Sequence, residues 1–366
     1  MVILRPTVAE IDLSKLTRNL RKVRAAVKPG VKLLALLKAN AYGHGAVPIG
    51  TYLEKNKLCE FFGVASVEEG LQLRQAGLKT SILVLGSIYP FEAFEYAIKN
   101  KLAITIASQA AADAVCKIAE KLGQPALCHV KQDTGMGRIG TRRGKVVGVI
   151  ETLAHHPLTV LDGLYTHLSS VESDPAYTEE QIGYYRDTLT HLALKQIHIN
   201  HCHVAASTAI HARPDVHYDM VRPGHSVYGL EPGYEPVLSL KTRIVYVKDV
   251  PAGGSISYGR SFRAEKPMRV ATLPLGYGDG YLRALSNKGE VLIRGARCRV
   301  LGNVTMDMMM VDITHVPGAS VGDEVVAVGK QGSAEITLAE LAQKANTIDY
   351  ELCTLLMPRV PRIYKP

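Results

Sequence analysis

The sequence is short of the features that mark secreted and membrane-bound proteins. Its six cysteines include no CxxC pair and no dense disulfide framework; they stand at positions 59, 116, 128, 202, 298 and 353. Scattered thiols of this kind are typical of a reducing compartment. The N-terminal stretch Met-Val-Ile-Leu-Arg-Pro-Thr holds too few apolar residues for a signal peptide or a membrane span. We therefore expect a cytoplasmic protein with no membrane partner.

Concentrated positive charge is also lacking, although the formal net charge is +9. The basic residues are spread along the chain. The two densest groups, at 142–145 and 359–365, are short and lack the interleaving of basic and stacking aromatic residues that is typical of nucleic-acid-binding surfaces. We therefore expect no nucleic-acid partner, whereas an anionic small ligand would suit the charge.

Apolar runs of strand length recur along the first two thirds of the chain. A helix is expected after Asp12, because apolar residues repeat at helical spacing from Leu13 to Val27, with Asp12 or Ser14 as its cap. The apolar runs occupy residues 31–37, 61–66, 81–86, 102–107, 126–130, 160–168 and 195–204. Continuous apolar strands separated by helices are typical of a parallel sheet buried on both faces. About eight such units fit before Glu235, which predicts a (β/α)8 barrel of the TIM type rather than an open sheet.

The last third of the chain has a different texture. After Pro236, short segments rich in Val, Ile and Thr alternate with turn signals, and a single helix is expected from Thr337 to Asn346. A chain of 366 residues exceeds what one hydrophobic core usually serves. The sequence thus predicts an α/β protein with a barrel over residues 11–235 and a mainly β domain over residues 236–366.

Lys38 ends the first apolar run and opens the segment Lys38-Ala-Asn-Ala-Tyr-Gly-His-Gly45. One interpretation is a lysine that extends its alkyl chain to solvent. The other is a desolvated amine of lowered pKa that can form a Schiff base, with the following glycines and Tyr42 wrapping a ligand. Residues at the carboxyl ends of barrel strands are favoured for function, which supports the second interpretation.

Two further segments suggest other chemistry. Gly135-Met-Gly-Arg-Ile-Gly140 matches the GxGxxG pattern of dinucleotide-binding turns, but Asp133 and Thr134 intervene between the strand and the glycines, and a lone match is weak. His201 and His203 share one face of a predicted strand, yet no second cluster supplies the remaining ligands that zinc requires. We therefore expect no metal.

The segment Arg222-Pro-Gly-His225 is open to two interpretations. Pro223 and Gly224 are typical of a plain turn into a helix. Alternatively, the backbone amides near Gly224 and His225, together with Ser207, could hold a phosphate. The residues of this segment alone do not separate the two.

Together these segments resemble the alanine racemase family, and the resemblance runs along nearly the whole chain. The segments that carry it are Lys38-Ala-Asn-Ala-Tyr-Gly-His-Gly45, Asp133-Thr-Gly-Met-Gly-Arg-Ile-Gly140, Thr166-His-Leu168, Arg222-Pro-Gly224, Tyr228-Gly-Leu230, Ile256-Ser-Tyr-Gly259, Gly276-Tyr-Gly-Asp-Gly280 and Met306-Asp307. Their order and spacing make the combined signal specific, although each segment alone is weak.

The resemblance implies the fold, the cofactor and the assembly. It implies a barrel followed by a β domain that the N-terminal residues 1–10 join, and a head-to-tail homodimer with shared active sites. It also implies that Lys38 binds pyridoxal 5'-phosphate covalently and that the second base is Tyr258 of the partner subunit. The expected reaction is the interconversion of L-alanine and D-alanine, which would supply D-alanine for cell-wall synthesis.

The resemblance also assigns roles to other residues. Arg222 faces the pyridine nitrogen, with His167 and His203 behind it. The cofactor-binding set implied in this way is Lys38, Tyr42, His167, His203, Ser207, Arg222, Gly224 and His225. The substrate-binding set is Arg138, Tyr277, Met306 and Asp307, and Arg283 is expected at the same entrance. Lys131 matches a lysine that is often carbamylated in the family, and its carbamate would orient Arg138.

Three positions depart from the family pattern, and other activities stay open. Ala206, Asn303 and Pro358 replace an asparagine, an arginine and a tyrosine that many members carry. Asn303 and Pro358 motivate a broad-specificity amino-acid racemase as the alternative. A decarboxylase that uses the same cofactor would set an acidic residue against the pyridine nitrogen, where this chain has Arg222. A non-enzymatic pyridoxal phosphate carrier would not need the β domain.

Overall fold

The computed structural model describes residues 4–366, which form two compact units. The barrel unit comprises residues 18–41 and 46–227. The β unit comprises residues 42–45 and 228–366 together with the described N-terminal residues up to Thr17. The predicted association of residues 1–10 with the β domain falls partly on residues 1–3, which lie outside the described residues, and the domain boundary at 235/236 stays a prediction.

Eight parallel strands form the sheet of the barrel unit. In spatial order they are Met220–Val221, Lys32–Leu36, Phe61–Val64, Ser81–Val84, Leu102–Ile106, Ala126–Asp133, Thr159–Tyr165 and His201–His203; the short strand Thr141–Arg142 pairs with Ala126–Asp133. The first and last strands of this order are joined by backbone hydrogen bonds from Asp219 N to Cys202 O (3.0 Å) and from Arg222 N to Ala205 O (2.9 Å). The sheet is therefore a nearly closed barrel.

Helices alternate with these strands, and polar side chains fix where several of them begin. The helices are Leu13–Ala26, Ala46–Lys55, Val67–Gln75, Ala93–Lys99, Gln109–Leu122, Val146–Ala154, Pro175–Leu194, Ser207–Ala212 and His225–Tyr228, with a 3-10 turn at Pro214–Val216. Asp12 caps the first helix as predicted, because its Oδ1 accepts from Lys15 N at 2.9 Å. Ser66 and Ser108 cap two later helices in the same way.

The β unit is a mainly antiparallel sheet. Its strands, in spatial order, are Tyr246–Val250, Met268–Leu273, Met309–Asp312, Ala296–Leu301, Glu290–Ile293, Glu324–Gln331, Leu238–Arg243, Val8–Asp12 and Arg362–Lys365, with Ala334–Ile336 beside Glu324–Gln331 and a separate hairpin of Ser255–Ile256 and Phe262–Arg263. The helices are Leu338–Ala345 and Asp349–Thr354, and 3-10 turns lie at Tyr258–Arg260, Tyr277–Asp279 and Arg283–Leu285. The predicted fold class, a barrel followed by a mainly β domain, is confirmed.

The structure differs from the sequence patterns in two strands of the barrel. The apolar run at 195–204 contributes only His201–His203, because the helix before it runs to Leu194 and the following residues form a turn. Met220–Val221 is the last barrel strand in chain order, and it has no counterpart among the predicted runs. A strand of two residues is too short to produce an apolar run in the sequence. Among residues 4–366, none of the helices is both long and apolar enough to cross a membrane.

Candidate active site

A cavity of about 310 Å³ lies in the barrel unit at the carboxyl ends of the strands. Its lining residues are Leu36, Lys38, Ala65, Leu85, Gly86, Ser87, Lys131, Arg138, Ile139, Tyr165, His167, Ala206 and Arg222. Four of them carry basic side chains of lysine or arginine, and of the described residues that line the cavity none is acidic. The structure thus brings Lys38, Lys131, Arg138, His167 and Arg222 together around one cavity, at the strand ends where barrels favour functional residues.

Lys38 enters the cavity from an unusual backbone segment. It follows the strand Lys32–Leu36, and the next four residues, Ala39, Asn40, Ala41 and Tyr42, all have φ between 51° and 54°. These angles make Lys38–Tyr42 a left-handed turn rather than the glycine-based loop that the sequence predicted. Left-handed conformation costs about 1–2 kcal/mol for each non-glycine residue, so surrounding contacts must hold it.

Side-chain hydrogen bonds within the barrel unit hold this turn. Glu69 Oε1 accepts from Ala39 N at 2.7 Å, and its Oε2 accepts from Ala65 N at 2.6 Å. Asn40 Oδ1 accepts from Ala46 N at 2.8 Å. Strained segments that neighbouring structure holds in this way are found preferentially at functional sites.

Burial and neighbouring cations lower the pKa values of both lysines in the cavity. Burial lowers the pKa of Lys38, and Arg138 and Arg222 add to the effect while Glu69 opposes it. Lys131 is 3% exposed, and burial together with the charges of Arg138 and Arg222 lowers its pKa to about 7. Both amines therefore have more neutral character near pH 7 than an ordinary lysine has.

Arg222 is fixed by a dense set of hydrogen bonds. Its Nη1 donates to His203 Nδ1 at 2.9 Å and to His203 O at 3.0 Å. Its Nη2 donates to Thr166 O at 2.7 Å and to Val204 O at 2.9 Å. Burial lowers the pKa of Arg222 to about 10, which still leaves the guanidinium charged at neutral pH.

The groups behind Arg222 are neutral and aromatic. The rings of Tyr165 and His203 stack with their centroids 4.7 Å apart. Arg222 Cζ and Lys131 Nζ lie 5.4 Å and 5.3 Å from the centroid of the Tyr165 ring. Burial, with the charges of Arg222 and Arg138, lowers the pKa of His167 to about 3, so its ring is neutral at pH 7. The cations of the cavity thus have an uncharged wall beside them.

The residues predicted to hold a phosphate belong to both units. In the barrel unit, Ser207 Oγ accepts from Gly224 N at 2.8 Å and lies 3.1 Å from Ser226 Oγ. His225 follows at the start of a short helix. Tyr42 belongs to the β unit, where its ring stacks on Tyr228 at 5.1 Å. Their role as phosphate contacts stays a prediction.

The predicted partner-derived residues lie on the β unit and are exposed. Tyr258 is 73% exposed, Met306 is 54% exposed and Tyr277 is 42% exposed. Asn303 donates from Nδ2 to Tyr258 O at 3.0 Å, and Asn303 O accepts from Ser257 Oγ at 2.7 Å. Asn303, which departs from the family pattern, therefore holds the backbone of Tyr258.

A buried carboxylate organises the segment around Asp307 in the β unit. Asp279 is fully buried and accepts hydrogen bonds from Arg5, from Gly276 N and from Arg359. Burial opposes its ionisation, but these donors outweigh burial and hold the pKa of Asp279 below its usual range. Arg359 Nη1 in turn donates to Asp307 Oδ1 at 2.8 Å.

The dinucleotide interpretation of Gly135–Gly140 fails on the structure. The glycine segment leads to the short strand Thr141–Arg142, and the next helix begins only at Val146. The amides of Gly135 and Gly137 donate to Asp133 Oδ1 at 3.1 Å and 3.0 Å, so they point to the chain's own carboxylate. The strand–turn–helix context that the motif requires is absent from this described segment.

Sequence reasoning missed several polar residues of the barrel core. Tyr165 forms part of the cavity wall, and its hydroxyl donates to Leu85 O at 3.1 Å. His129 lies 3.0 Å from His203, and Asp162 lies 3.1 Å from His129. The strand Thr159–Tyr165 does carry a hint of these residues in its sequence, because Asp162 and Gly163 interrupt a mainly apolar segment.

Comparisons with known proteins give one family along the whole chain. Residues 11–232 match the family model "Alanine racemase, N-terminal domain" and residues 237–364 match "Alanine racemase, C-terminal domain". An alanine racemase of Halothermothrix orenii is 41% identical, covering 99% of this chain and 98% of its own, and one of Symbiobacterium thermophilum is 42% identical, covering 99% and 97%. The solved alanine racemase of Clostridium difficile 630 superposes with a TM-score of 0.95 at 36% identity, covering 100% of this chain and 97% of its own.

Proposed function

The chain belongs to the alanine racemase family, and from this premise we propose that it interconverts L-alanine and D-alanine with pyridoxal 5'-phosphate as its cofactor. The observation that carries the proposal is the cationic cavity around Lys38, whose amine has a lowered pKa. The protein is thus an isomerase. We further propose a cytoplasmic protein that supplies D-alanine for cell-wall synthesis; its six cysteines are all free thiols, which suits a reducing compartment.

The residues of the cavity fit the chemical groups of this cofactor. A volume of about 310 Å³ is at the lower end of what small-molecule sites occupy. Lys38 supplies the primary amine that an aldehyde requires. The buried charge of Arg222 and the exposed charge of Arg138, with no acid among the described lining residues, favour an anionic occupant. Lys38, His167, His203, Ser207, Arg222, Gly224 and His225 of the barrel unit are the residues that would hold it. Tyr42 stays a predicted phosphate contact.

Racemisation needs two proton-transferring groups on opposite faces of one carbon. When bound, pyridoxal phosphate makes the Cα hydrogen of an amino acid acidic by acting as an electron sink. Lys38 can hold or release a proton on one face because its pKa is lowered toward neutrality. The β unit offers the phenol of Tyr258, which is 73% exposed. We propose that Tyr258 of the partner subunit serves the other face in a homodimer.

Arg222 and Arg138 have different tasks in this proposal. Arg222 keeps its charge and its hydrogen bonds, so it can donate a hydrogen bond to a ring nitrogen but cannot deliver a proton to it. A ring nitrogen left unprotonated would make the ring a weaker electron acceptor, which disfavours transamination. Arg138 would bind the substrate carboxylate, and a carbamate on Lys131 would orient it. Tyr277, Met306 and Asp307 would line the entrance from the partner.

The test is racemisation of L-alanine in heavy water. The purified protein with pyridoxal phosphate should bring the circular dichroism signal of L-alanine to zero and place deuterium at Cα in both enantiomers. Serine and larger amino acids in the same assay measure breadth, and alanine should be preferred by orders of magnitude. A constant signal without deuterium would overturn the proposal, and equal rates with serine would favour the broad-specificity alternative that Asn303 motivates.

A further inference from the structure

A chain of buried polar side chains leads from Arg222 through the barrel interior, away from the cavity. Arg222 Nη1 lies 2.9 Å from His203 Nδ1, His203 Nε2 lies 3.0 Å from His129 Nδ1, and His129 Nε2 lies 3.1 Å from Asp162 Oδ2. His129 and His203 are fully buried, and Asp162 is mostly buried. A buried polar chain must satisfy each of its members or it destabilises the core.

The direction of every hydrogen bond in this chain follows from its ends. Arg222 can only donate, so His203 Nδ1 accepts and His203 Nε2 carries the proton. His203 Nε2 then donates to His129 Nδ1, and His129 Nε2 donates to the Asp162 carboxylate. Burial lowers the pKa values of both histidines, which agrees with two neutral rings. The chain therefore runs one way, from guanidinium to carboxylate.

A second branch reaches Asp162 from the opposite end of the barrel. Lys32 Nζ lies 2.7 Å from His201 Nε2, and an ammonium group can only donate. His201 Nδ1 then carries the proton and lies 3.3 Å from Asp162 Oδ1, which also accepts from Asn200 Nδ2 at 3.1 Å. Burial opposes the ionisation of Asp162, but the hydrogen bond from His129 and the interaction with His201 outweigh it and hold its pKa below the usual range.

The backbone of the next strand makes room for His129. A Cβ atom on Gly163 would lie 2.1 Å from His129 Nδ1, so only glycine allows the ring at this place. The pairing between Ala126–Asp133 and Thr159–Tyr165 also shifts its register between Cys128 and His129, where it changes from Leu161 to Gly163. The strand geometry thus accommodates this one ring orientation.

We propose that Asp162 is a positioning residue for the reaction, which through His129 and His203 holds the guanidinium of Arg222 in the orientation that the cofactor requires. This inference rests on the proposed function, because it concerns the task of Arg222 there. The carboxylate acts as the acceptor that ends the chain, and its acceptor capacity matters more than its charge.

A metal site is the competing interpretation of the same cluster. Ligand atoms of His129, Asp162 and His201 lie within 4.8 Å of one another. However, a metal requires unprotonated nitrogens on the sides that face Asp162, whereas Arg222 and Lys32 place protons there. The Lys32 ammonium beside His201 would also repel a cation. The two interpretations predict opposite tautomers for His129 and His201.

Long-range 1H–15N NMR of histidine-labelled protein, recorded without cofactor or substrate, reads these tautomers directly. We expect neutral rings protonated at Nε2 for His129 and His203 and at Nδ1 for His201, unchanged by zinc chloride or by a chelator. The opposite tautomers for His129 and His201, or a spectrum that changes with zinc, would overturn the proposal. Because this readout needs no catalysis, it separates failure here from failure of the proposed function.

Two variants of Asp162 separate acceptor capacity from charge. Asp162→Ala removes the acceptor and should lower kcat about tenfold with KM changed less than about twofold, the size typical of lost outer-shell hydrogen bonds. Asp162→Asn keeps one side-chain oxygen that can accept from His129 Nε2. The hydrogen bond from Arg222 still sets the tautomers of His203 and His129, so His129 still donates. Asp162→Asn should restore kcat to within about threefold of the parent, with His203 still protonated at Nε2. Equal losses in both variants, or a tautomer change at His203, would contradict the proposal.

A glycine pair covers the case in which Asp162→Ala does not fold. Gly163→Ala removes no polar side chain but displaces the His129 ring, and it should lower kcat about tenfold in the same way. Gly148→Ala is the matched control, because a Cβ there meets nothing within 4 Å, and it should leave kcat unchanged. Unchanged kcat in Gly163→Ala would contradict the positioning role.

Discussion

The two groups of predicted site residues differ most in their burial. In the barrel unit, Lys131 and Arg222 are each 3% exposed and Lys38 is half-buried beside them. In the β unit, Tyr258 is 73% exposed and Met306 is 54% exposed. One group is therefore organised by the interior of its own unit, whereas the other presents large side chains to solvent.

This difference shows which surroundings set the chemical properties of the side chains in each group. In the barrel unit, desolvation and neighbouring cations shift the pKa values of Lys38 and Lys131 before any ligand is present. Tyr258 is largely exposed, so most of its surroundings in an active site would have to come from another surface. The comparison therefore supports the proposal that the β-unit residues act in the active site of a partner subunit.

The largest expected effect is at the buried group. Lys38→Ala should lower racemisation of alanine by more than about 10³-fold, because it removes the amine that we propose binds the cofactor and serves as one proton-transferring group. Circular dichroism of L-alanine measures the loss, and absorbance measures retained cofactor. Lys79→Ala, at an exposed lysine of the same unit, is the control and should be fully active. Substantial activity in Lys38→Ala would show that the reaction does not require Lys38.

Tyr258→Phe tests the exposed group. Racemisation should fall by about 10²–10⁴-fold, the usual contribution of a positioned acid or base. Exchange of the Cα hydrogen with heavy water should persist for one enantiomer and be lost for the other, since Lys38 still serves one face. Tyr246→Phe removes another exposed phenol of the β unit and should have no effect. Exchange of both enantiomers at the parent rate would refute the role of Tyr258.

Carbamylation of Lys131, a buried residue of the barrel unit, should depend on pH. Its pKa of about 7 means that the reactive neutral amine is the minor form below pH 7 and the major form above it. Protein in 13C-bicarbonate should therefore show a carbamate NMR signal at pH 8 that fades as the pH falls through 7. Lys131→Arg should abolish the signal and Lys79→Ala should retain it. A signal that persists in Lys131→Arg would assign the carbamate elsewhere.

The smallest expected effect is at Asn303. Asn303→Ala removes one exposed hydrogen bond to Tyr258 O, which contributes about 0.5–1.5 kcal/mol and corresponds to roughly two- to tenfold in kcat/KM. Steady-state kinetics with alanine measures it. Asn56→Ala breaks a similar exposed bond in the barrel unit and should leave kcat/KM unchanged. Equal kinetics for both variants would show that the Tyr258 backbone is held without Asn303.

The predictable parts of the site are those with a local pattern. Lys38 ends an apolar run, and a functional side chain at the carboxyl end of a strand follows from the barrel alone. The left-handed turn after Lys38 was not predictable, because Ala39 and Ala41 disfavour positive φ and Asn40, which tolerates it, usually adopts it only as a single residue. Contacts such as that of Glu69 with Ala39 N, thirty residues apart in sequence, impose it.

The chain from Arg222 to Asp162 was equally hidden. His203, His129 and Asp162 come from three different strands, and no spacing in the sequence relates them. The interruption of an apolar strand by Asp162-Gly163 marks a close approach of some kind, but the partner ring of His129 becomes visible only when the strands are paired. The family resemblance identified Arg222 and His203 as site residues, but it did not identify His129 or Asp162.

The sequence by itself determined the succession of strands and helices, the change to a β-rich second part, the position of Lys38 at a strand end and membership of a family. These follow from periodicity and local motifs, which depend on neighbours in the chain. Only the tertiary structure decided which cations share the cavity, how far the lysine pKa values fall and which way the imidazole protons point. Desolvation and donor–acceptor matching depend on distances across strands, and those distances exist only once the barrel has formed.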